Sequence, residues 1–239
     1  MLANVTESLL LRRTGLLGPE PTRMIPPEPA RESENTSQNA SDGHGPGAGP
    51  ALALACTVAI LCVAFQLTGL EIILRFDRDA INDGAWWRLL SGNFVHLGPG
   101  HLMMNLAGLV LVVALVWKRF SAFAWIAIII GSSLVVGLGL LWRNPEIGWY
   151  VGFSGTLHGL IVAGTLADLR VWPRSASLLL LAVAAKLAWE QIGGALPGSE
   201  SVAGGAVIVD AHLYGAIGGA IFGAILIAAG YARRLPKAS

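Results

Sequence analysis

The chain has 239 residues, of which 54% are hydrophobic and 13% charged, with a formal net charge of +1. A soluble domain carries roughly 25% charged residues, so the depleted charge and the long apolar blocks exclude an ordinary soluble domain and read as an integral membrane protein. The near-neutral balance gives no support to nucleic-acid binding through bulk charge. Two cysteines inside one apolar run, Cys56 and Cys62, offer neither a disulfide framework nor a metal-ligand pattern.

Residues 1–50 are rich in Pro, Glu, Ser, Asn and Gly. Such a segment cannot bury enough apolar surface to offset its ordering entropy, and a disordered polar tail is expected. The first membrane span is expected over 51–70, long enough to cross ~30 Å of hydrocarbon. The loop 71–100 mixes Asp77, Arg78, Asp79 and Asp83 with Phe76, Trp86, Trp87 and Phe94, which suits a segment in the membrane interface. Further spans are expected over 101–117, 122–141, 149–167, 176–192 and 205–230. The expected fold is therefore an all-α membrane bundle of six transmembrane helices over 51–232, followed by a short basic tail at 233–239. With six spans both termini share one side. Placing them in the cytoplasm puts Lys118, Arg119, Arg170, Arg174, Arg233, Arg234 and Lys237 inside, against Arg75, Arg78, Arg88 and Arg143 outside, the sense the positive-inside rule favours.

Three stretches carry residues that could do chemistry. Gly152-Phe153-Ser154-Gly155-Thr156-Leu157-His158-Gly159 opens the fourth span. On a helix Ser154 and His158 share a face, and Gly152, Gly155 and Gly159 leave room for another helix to approach closely. A packing seam of small residues and a functional site are both open readings of this stretch alone. On the second span His101 and Asn105, four apart, project from one face and can both donate hydrogen bonds; a pair of interhelical hydrogen bonds is the alternative. On the sixth span His212 precedes Gly215, Gly219 and Gly223, a glycine strip suited to meeting the glycines of the fourth. The expected topology sets Ser154 and His212 roughly 8–11 Å below the outer surface.

If the two strips meet, His212 can reach Ser154. A serine hydroxyl becomes a nucleophile when a base within hydrogen-bond reach takes its proton, and imidazole suits that task. Asp210 points elsewhere on the helix, so a Ser-His dyad is expected rather than a triad. Lys186 and Glu190, four apart within the fifth span, leave two readings open: a pair neutralising itself inside the bundle, or a polar lining for a substrate end or small amine. No internal repeat of the kind expected of a transporter relates the halves.

Together the His-x-x-x-Asn, Gly-x-Ser-Gly and Ala-His-x-x-Gly motifs, in this order and on these spans, resemble the rhomboid family of intramembrane serine proteases. His96 and Trp87-Arg88 match the family's first loop, and the likeness extends over about 85–230. The resemblance implies that Ser154 attacks the peptide carbonyl and His212 is the base. It also implies that His101, Asn105 and the Ser154 backbone N–H stabilise the oxyanion, without metal or cofactor. Many rhomboids have tyrosine where this chain has His158, which is expected to pack on His212. Together with Lys-Leu-Ala-Trp-Glu-Gln on the fifth span, this departure looks like the rhombosortase branch. That branch implies a bacterial inner-membrane enzyme, its active site open to the periplasm. Its substrates would be exported surface proteins with a C-terminal tail: Gly-Gly, an apolar helix, then basic residues. Transfer of the acyl group to an amine instead of water is a variant of this reading. The alternatives are a general rhomboid protease acting on other single-span proteins, and a non-catalytic rhomboid-like protein that binds membrane helices.

Overall fold

The computed structural model describes residues 48–233. The polar tail expected over 1–50 lies outside the described residues except for its last three positions, which begin the first helix. The basic tail at 233–239 lies outside them except for Arg233.

Five of the described helices are long and apolar enough to cross a membrane: α1 (Ala48–Thr68), α5 (Pro99–Val116, continued by a 3-10 turn to Arg119), α6 (Ala122–Arg143), α8 (Pro173–Gly193) and α10 (Val209–Ala228). Local signals in the sequence account for their ends. Pro99 and Pro173 start α5 and α8 at positions where a missing N–H costs nothing. Ser121 caps α6 by accepting from the Ala124 N–H at 3.3 Å. At the other end of α6 the Arg78 guanidinium donates to the carbonyls of Leu140, Leu141 and Asn144 at 2.7 Å and of Ile147 at 3.0 Å. It thereby satisfies acceptors that a helix terminus leaves free. The loop between α1 and α5 is built from the short helices α2 (Glu71–Leu74), α3 (Arg78–Asn82) and α4 (Arg88–Ser91), and a further short helix, α9 (Ser199–Ala203), lies between α8 and α10. Trp86 and Trp87 are exposed on it, as an interfacial segment requires.

The expected fourth span is corrected at its start. The run from Trp149 is continuously apolar, but the helix α7 begins only at Ser154 and ends at Asp168. Trp149–Tyr150 form a short strand, β2, paired antiparallel with β1 (Phe76–Asp77). Between strand and helix Gly152 adopts φ 130°, a conformation that side chains on L-residues resist. The Tyr150 hydroxyl donates to the Gly152 carbonyl at 2.7 Å, and the Gly152 N–H donates to the Gly92 carbonyl at 3.1 Å. Ser154 is thus the first residue of its helix rather than the sixth of a span, and Gly152 lies in the turn before it. The two-stranded ribbon is the one departure from an all-α architecture among the described residues.

At 15 residues α7 is about 22 Å long. It is surrounded by α5, α6, α8 and α10, and all of it is buried except parts of Ser154, His158 and Leu166. Its most extensive partner is α10. A β-carbon added at Gly215 would land on the Gly155 carbonyl, and one at Gly219 on the Gly159 carbonyl. The expected glycine strips therefore do meet, at backbone-to-backbone distance. Asn93, from the loop, ties this core to its surroundings. Its side chain donates to the Ser133 carbonyl at 3.3 Å and accepts from the Thr156 hydroxyl at 3.2 Å. At the opposite end of α7, Asp168 forms a buried ion pair with Arg119.

Candidate active site

The α7–α10 contact brings Ser154 and His212 together. His212 Nε2 lies 2.9 Å from Ser154 Oγ, within the range in which a base can take the hydroxyl proton. The serine is half-buried, while the imidazole is 5% exposed and shielded by α7, α8 and α10. The start of α7 at Ser154 has a chemical consequence. Its backbone N–H belongs to the first turn, where amides have no partner within the helix. Those amides and the positive end of the helix dipole are available to a negative charge developing beside Oγ.

His101 enters the site from α5. Its Nδ1 accepts from the Leu97 N–H at 3.4 Å, which leaves the ring proton on Nε2. That nitrogen and the adjacent carbon approach the α-carbon of Gly152 so closely that a side chain there would collide with the ring. His101 therefore presents an N–H donor beside the turn that holds Ser154. Asn105 is buried one helical turn further along α5, where its amide donates to the His101 carbonyl at 3.1 Å; its second N–H remains for another acceptor. His96 packs edge-on against His101 at 5.2 Å between ring centres. It is 1% exposed, and neither ring nitrogen has a partner among the described residues. Burial, reinforced by neighbouring His101, pushes its pKa down to about 3, so it packs as a neutral ring.

His158 lies one turn along α7 from Ser154 and stacks on His212, with ring centres 4.4 Å apart and planes inclined by 23°. Its Nδ1 is 2.7 Å from the Ser154 carbonyl. Stacking on the second histidine and a contact with a backbone carbonyl coexist in this one ring.

Lys186 and Glu190 form an i,i+4 ion pair on α8 at 2.7 Å. Their surroundings revise the expectation that His212 has no carboxylate neighbour: Glu190 Oε1 and Oε2 stand 3.1 and 2.9 Å from His212 Nδ1. Lys186 Nζ is in turn 2.8 Å from His158 Nε2 and 3.1 Å from His212 Nδ1. The signal for this cluster was present in the sequence as two charges inside a span, but the pair spacing said nothing about which neighbour they faced. Asp210, by contrast, points away from His212 and accepts from the Asn144 amide at 2.6 Å. Asn93 and Tyr150, which brace α7 and the Gly152 turn, carried no recognisable signal.

Two cavities open on Ser154. One of about 430 Å³ is lined largely by the segments 146–151 and 203–208. The other, of about 450 Å³, lies between α5 and α8 and is overwhelmingly apolar, with Met104, Leu111, Leu115, Leu179 and Val183 in its walls. Lys186, Glu190 and His158 line its polar end. His158, Glu190 and His212 lie close enough together to share a metal ion, but the Lys186 ammonium contacts all three and supplies the cationic charge at that place.

Comparison with known proteins adds two findings. A family model described as the rhomboid domain matches residues 83–229. A curated protein of Bacillus subtilis (strain 168), named "Putative rhomboid protease YdcA", is 25% identical over 107 residues, covering 43% of this chain and 54% of that protein. The match thus spans about half the length of the relative.

Proposed function

Because the chain belongs to the rhomboid family, whose domain matches residues 83–229, we propose that it is a serine endopeptidase cleaving membrane-anchored proteins, with Ser154 as nucleophile and His212 as its base. The observation that carries this reading is the 2.9 Å contact between Ser154 Oγ and His212 Nε2 at the foot of two cavities. The apolar cavity between α5 and α8 suits a hydrophobic substrate helix. The cavity lined by 146–151 and 203–208 suits an extended segment leading to the scissile bond. His101 Nε2–H, the Asn105 amide and the Ser154 backbone N–H are assigned to the oxyanion.

The substrates we infer are exported bacterial proteins with a C-terminal Gly-Gly, apolar helix and basic end, cut on the periplasmic side of the inner membrane. The rhombosortase-like residues are Ser154-Gly155, Leu157-His158-Gly159, Lys186 with Glu190, and Asp210-Ala211-His212. Both termini lie in the cytoplasm in this reading, in which α7, fourth in chain order, joins the five long helices to make six crossing segments.

The test is reconstitution with a reporter ending in such a tail, followed by mass spectrometry of the released product. Cleavage beside the Gly-Gly and labelling of Ser154 by a fluorophosphonate are the expected results. A product differing from the hydrolysis product by the mass of the amine less one water would reveal transfer. An equal rate for a single-span reporter lacking the motif would return the protein to the general protease reading. In the same assay His101→Ala and Asn105→Ala are expected to lower kcat by roughly 10–1000-fold with little change in KM, since both groups act on a charge present only in the transition state.

His158 is assigned the packing role that its stack on His212 suggests. His158→Tyr is expected to stay within about tenfold of the parent rate, because a phenol ring restores the stack. His158→Ala is expected to fall further, by about 100-fold, because a loosened base loses its near-attack geometry. Equal rates for the alanine variant and the parent would remove His158 from the machinery.

A further inference from the structure

Resting on the assignment of Ser154 and His212, we propose that Glu190 is a positioning residue for the base. It accepts the His212 Nδ1–H, so that Nε2 presents its lone pair to Ser154, and Lys186 holds Glu190 in its ionised form. The unit is then a triad with a tethered cation rather than a dyad.

Two groups compete for one nitrogen. His212 Nδ1 has the Glu190 carboxylate at 2.9 and 3.1 Å and the Lys186 ammonium at 3.1 Å. A neutral imidazole carries a single N–H, so only one of these is its partner. Were Lys186 to donate to Nδ1, the ring proton would sit on Nε2 and point at Ser154 Oγ, 2.9 Å away. The ring could not then accept the hydroxyl proton, and two carboxylate oxygens would face a nitrogen lone pair. With Glu190 as acceptor both faults vanish.

The remaining contacts close consistently around that choice. Lys186 donates to Glu190 at 2.7 Å and to His158 Nε2 at 2.8 Å. His158 Nε2 is free to accept because its Nδ1–H is donated to the Ser154 carbonyl at 2.7 Å. The hydrogen bonds thus run from the Ser154 hydroxyl through His212, Glu190, Lys186 and His158 back to the backbone of Ser154. The Glu190 side chain is 2% exposed and the Lys186 side chain 27%. A carboxylate so enclosed within a span requires a partner charge to remain ionised, and Lys186 is the nearest cation.

In the reaction the Ser154 Oγ–H bond breaks as Oγ bonds to the peptide carbonyl carbon, and the proton passes to His212 Nε2. The imidazolium is held between Ser154 and the Glu190 carboxylate, which keeps its charge throughout. Nε2–H then protonates the leaving amine as the C–N bond breaks, and water resolves the acyl-enzyme through the same base.

Glu190→Gln, Glu190→Asp and the double variant Lys186→Met/Glu190→Gln test this, with kcat, KM, the fluorophosphonate labelling rate of Ser154 and thermal unfolding measured on each full-length protein. An amide at position 190 can donate to Nδ1 and favour the wrong tautomer, an effect of about 10⁴-fold in kcat in the soluble serine-protease triad. Glu190→Gln is expected to lose at least about 100-fold in kcat and in labelling rate, with KM within about threefold. The double variant removes both charges together and is expected to fold yet remain equally slow. Glu190→Asp is expected to recover at least about tenfold over the glutamine variant. Parent rates in the double variant would mean that the pair only cancels its own charge, and would overturn the proposal. So would equal rates for Gln and Asp. Ser154→Ala separates this from the underlying reading. Continued cleavage by that variant would remove the protease assignment itself, whereas an inert Ser154→Ala beside a fully active Glu190→Gln would remove only the role of Glu190.

Discussion

Alanine at Ser154 or at His212 is expected to lower cleavage of an anchored reporter by at least about 10⁴-fold, with the double variant no slower than either single one. On the proposed roles one proton passes between the two side chains across 2.9 Å, so removing either disables the same step. Each change deletes atoms without adding any, and Ser154 is only half-buried, so the fold should survive. Initial rates on equal amounts of membrane-embedded protein check this. If the double variant showed the product of the two single losses, Ser154 and His212 would be acting on different steps.

The second large effect concerns packing. Gly215→Ala places a methyl group on the Gly155 carbonyl, backbone against backbone, with no flexible side chain to give way. Overpacking typically costs 1–3 kcal/mol, and a rigid contact of this kind belongs at the upper end. The unfolding midpoint is expected to fall by about 5–10 °C. Activity is expected to fall further than stability does. The methyl group pushes α10 from α7, and a displacement near 1 Å between reacting groups costs about 100-fold. Gly148→Ala is the control, since nothing lies within 4 Å of a β-carbon there and its φ is not positive. It is expected to leave the midpoint unchanged. Thermal unfolding in detergent, together with fluorophosphonate labelling, measures both effects. A Gly215→Ala protein as stable and reactive as the parent would mean that the two helices need no such approach.

These two experiments probe what the sequence made most legible. The meeting of the glycine strips was readable because residues four apart share one helix face, whereas the roles of Ser154 and His212 rested on the family resemblance. The start of α7 was not readable. Trp149, Tyr150 and Val151 are as apolar as a span requires, and only pairing with Phe76–Asp77 and the φ of Gly152 decide that they are not helical. The partnership of Glu190 with His212 was hidden for a different reason. The spacing of Lys186 and Glu190 records their contact with each other, whereas the rotation of α8 about its axis is set by the whole bundle. The Arg78 cap on α6 and the Asn93 bridge to Thr156 likewise join residues more than sixty positions apart, beyond the reach of any local pattern.

The α7–α10 pairing also orders events in time. Ser154 and His212 are 58 positions apart, so at 5–20 residues per second Ser154 leaves the ribosome roughly 3–12 s before His212. Throughout that interval the carbonyls of Gly155 and Gly159 face a groove that α10 has yet to fill. On the roles proposed for Ser154 and His212, a nascent chain without α10 has the serine but not its base, and docking of that helix completes the pair.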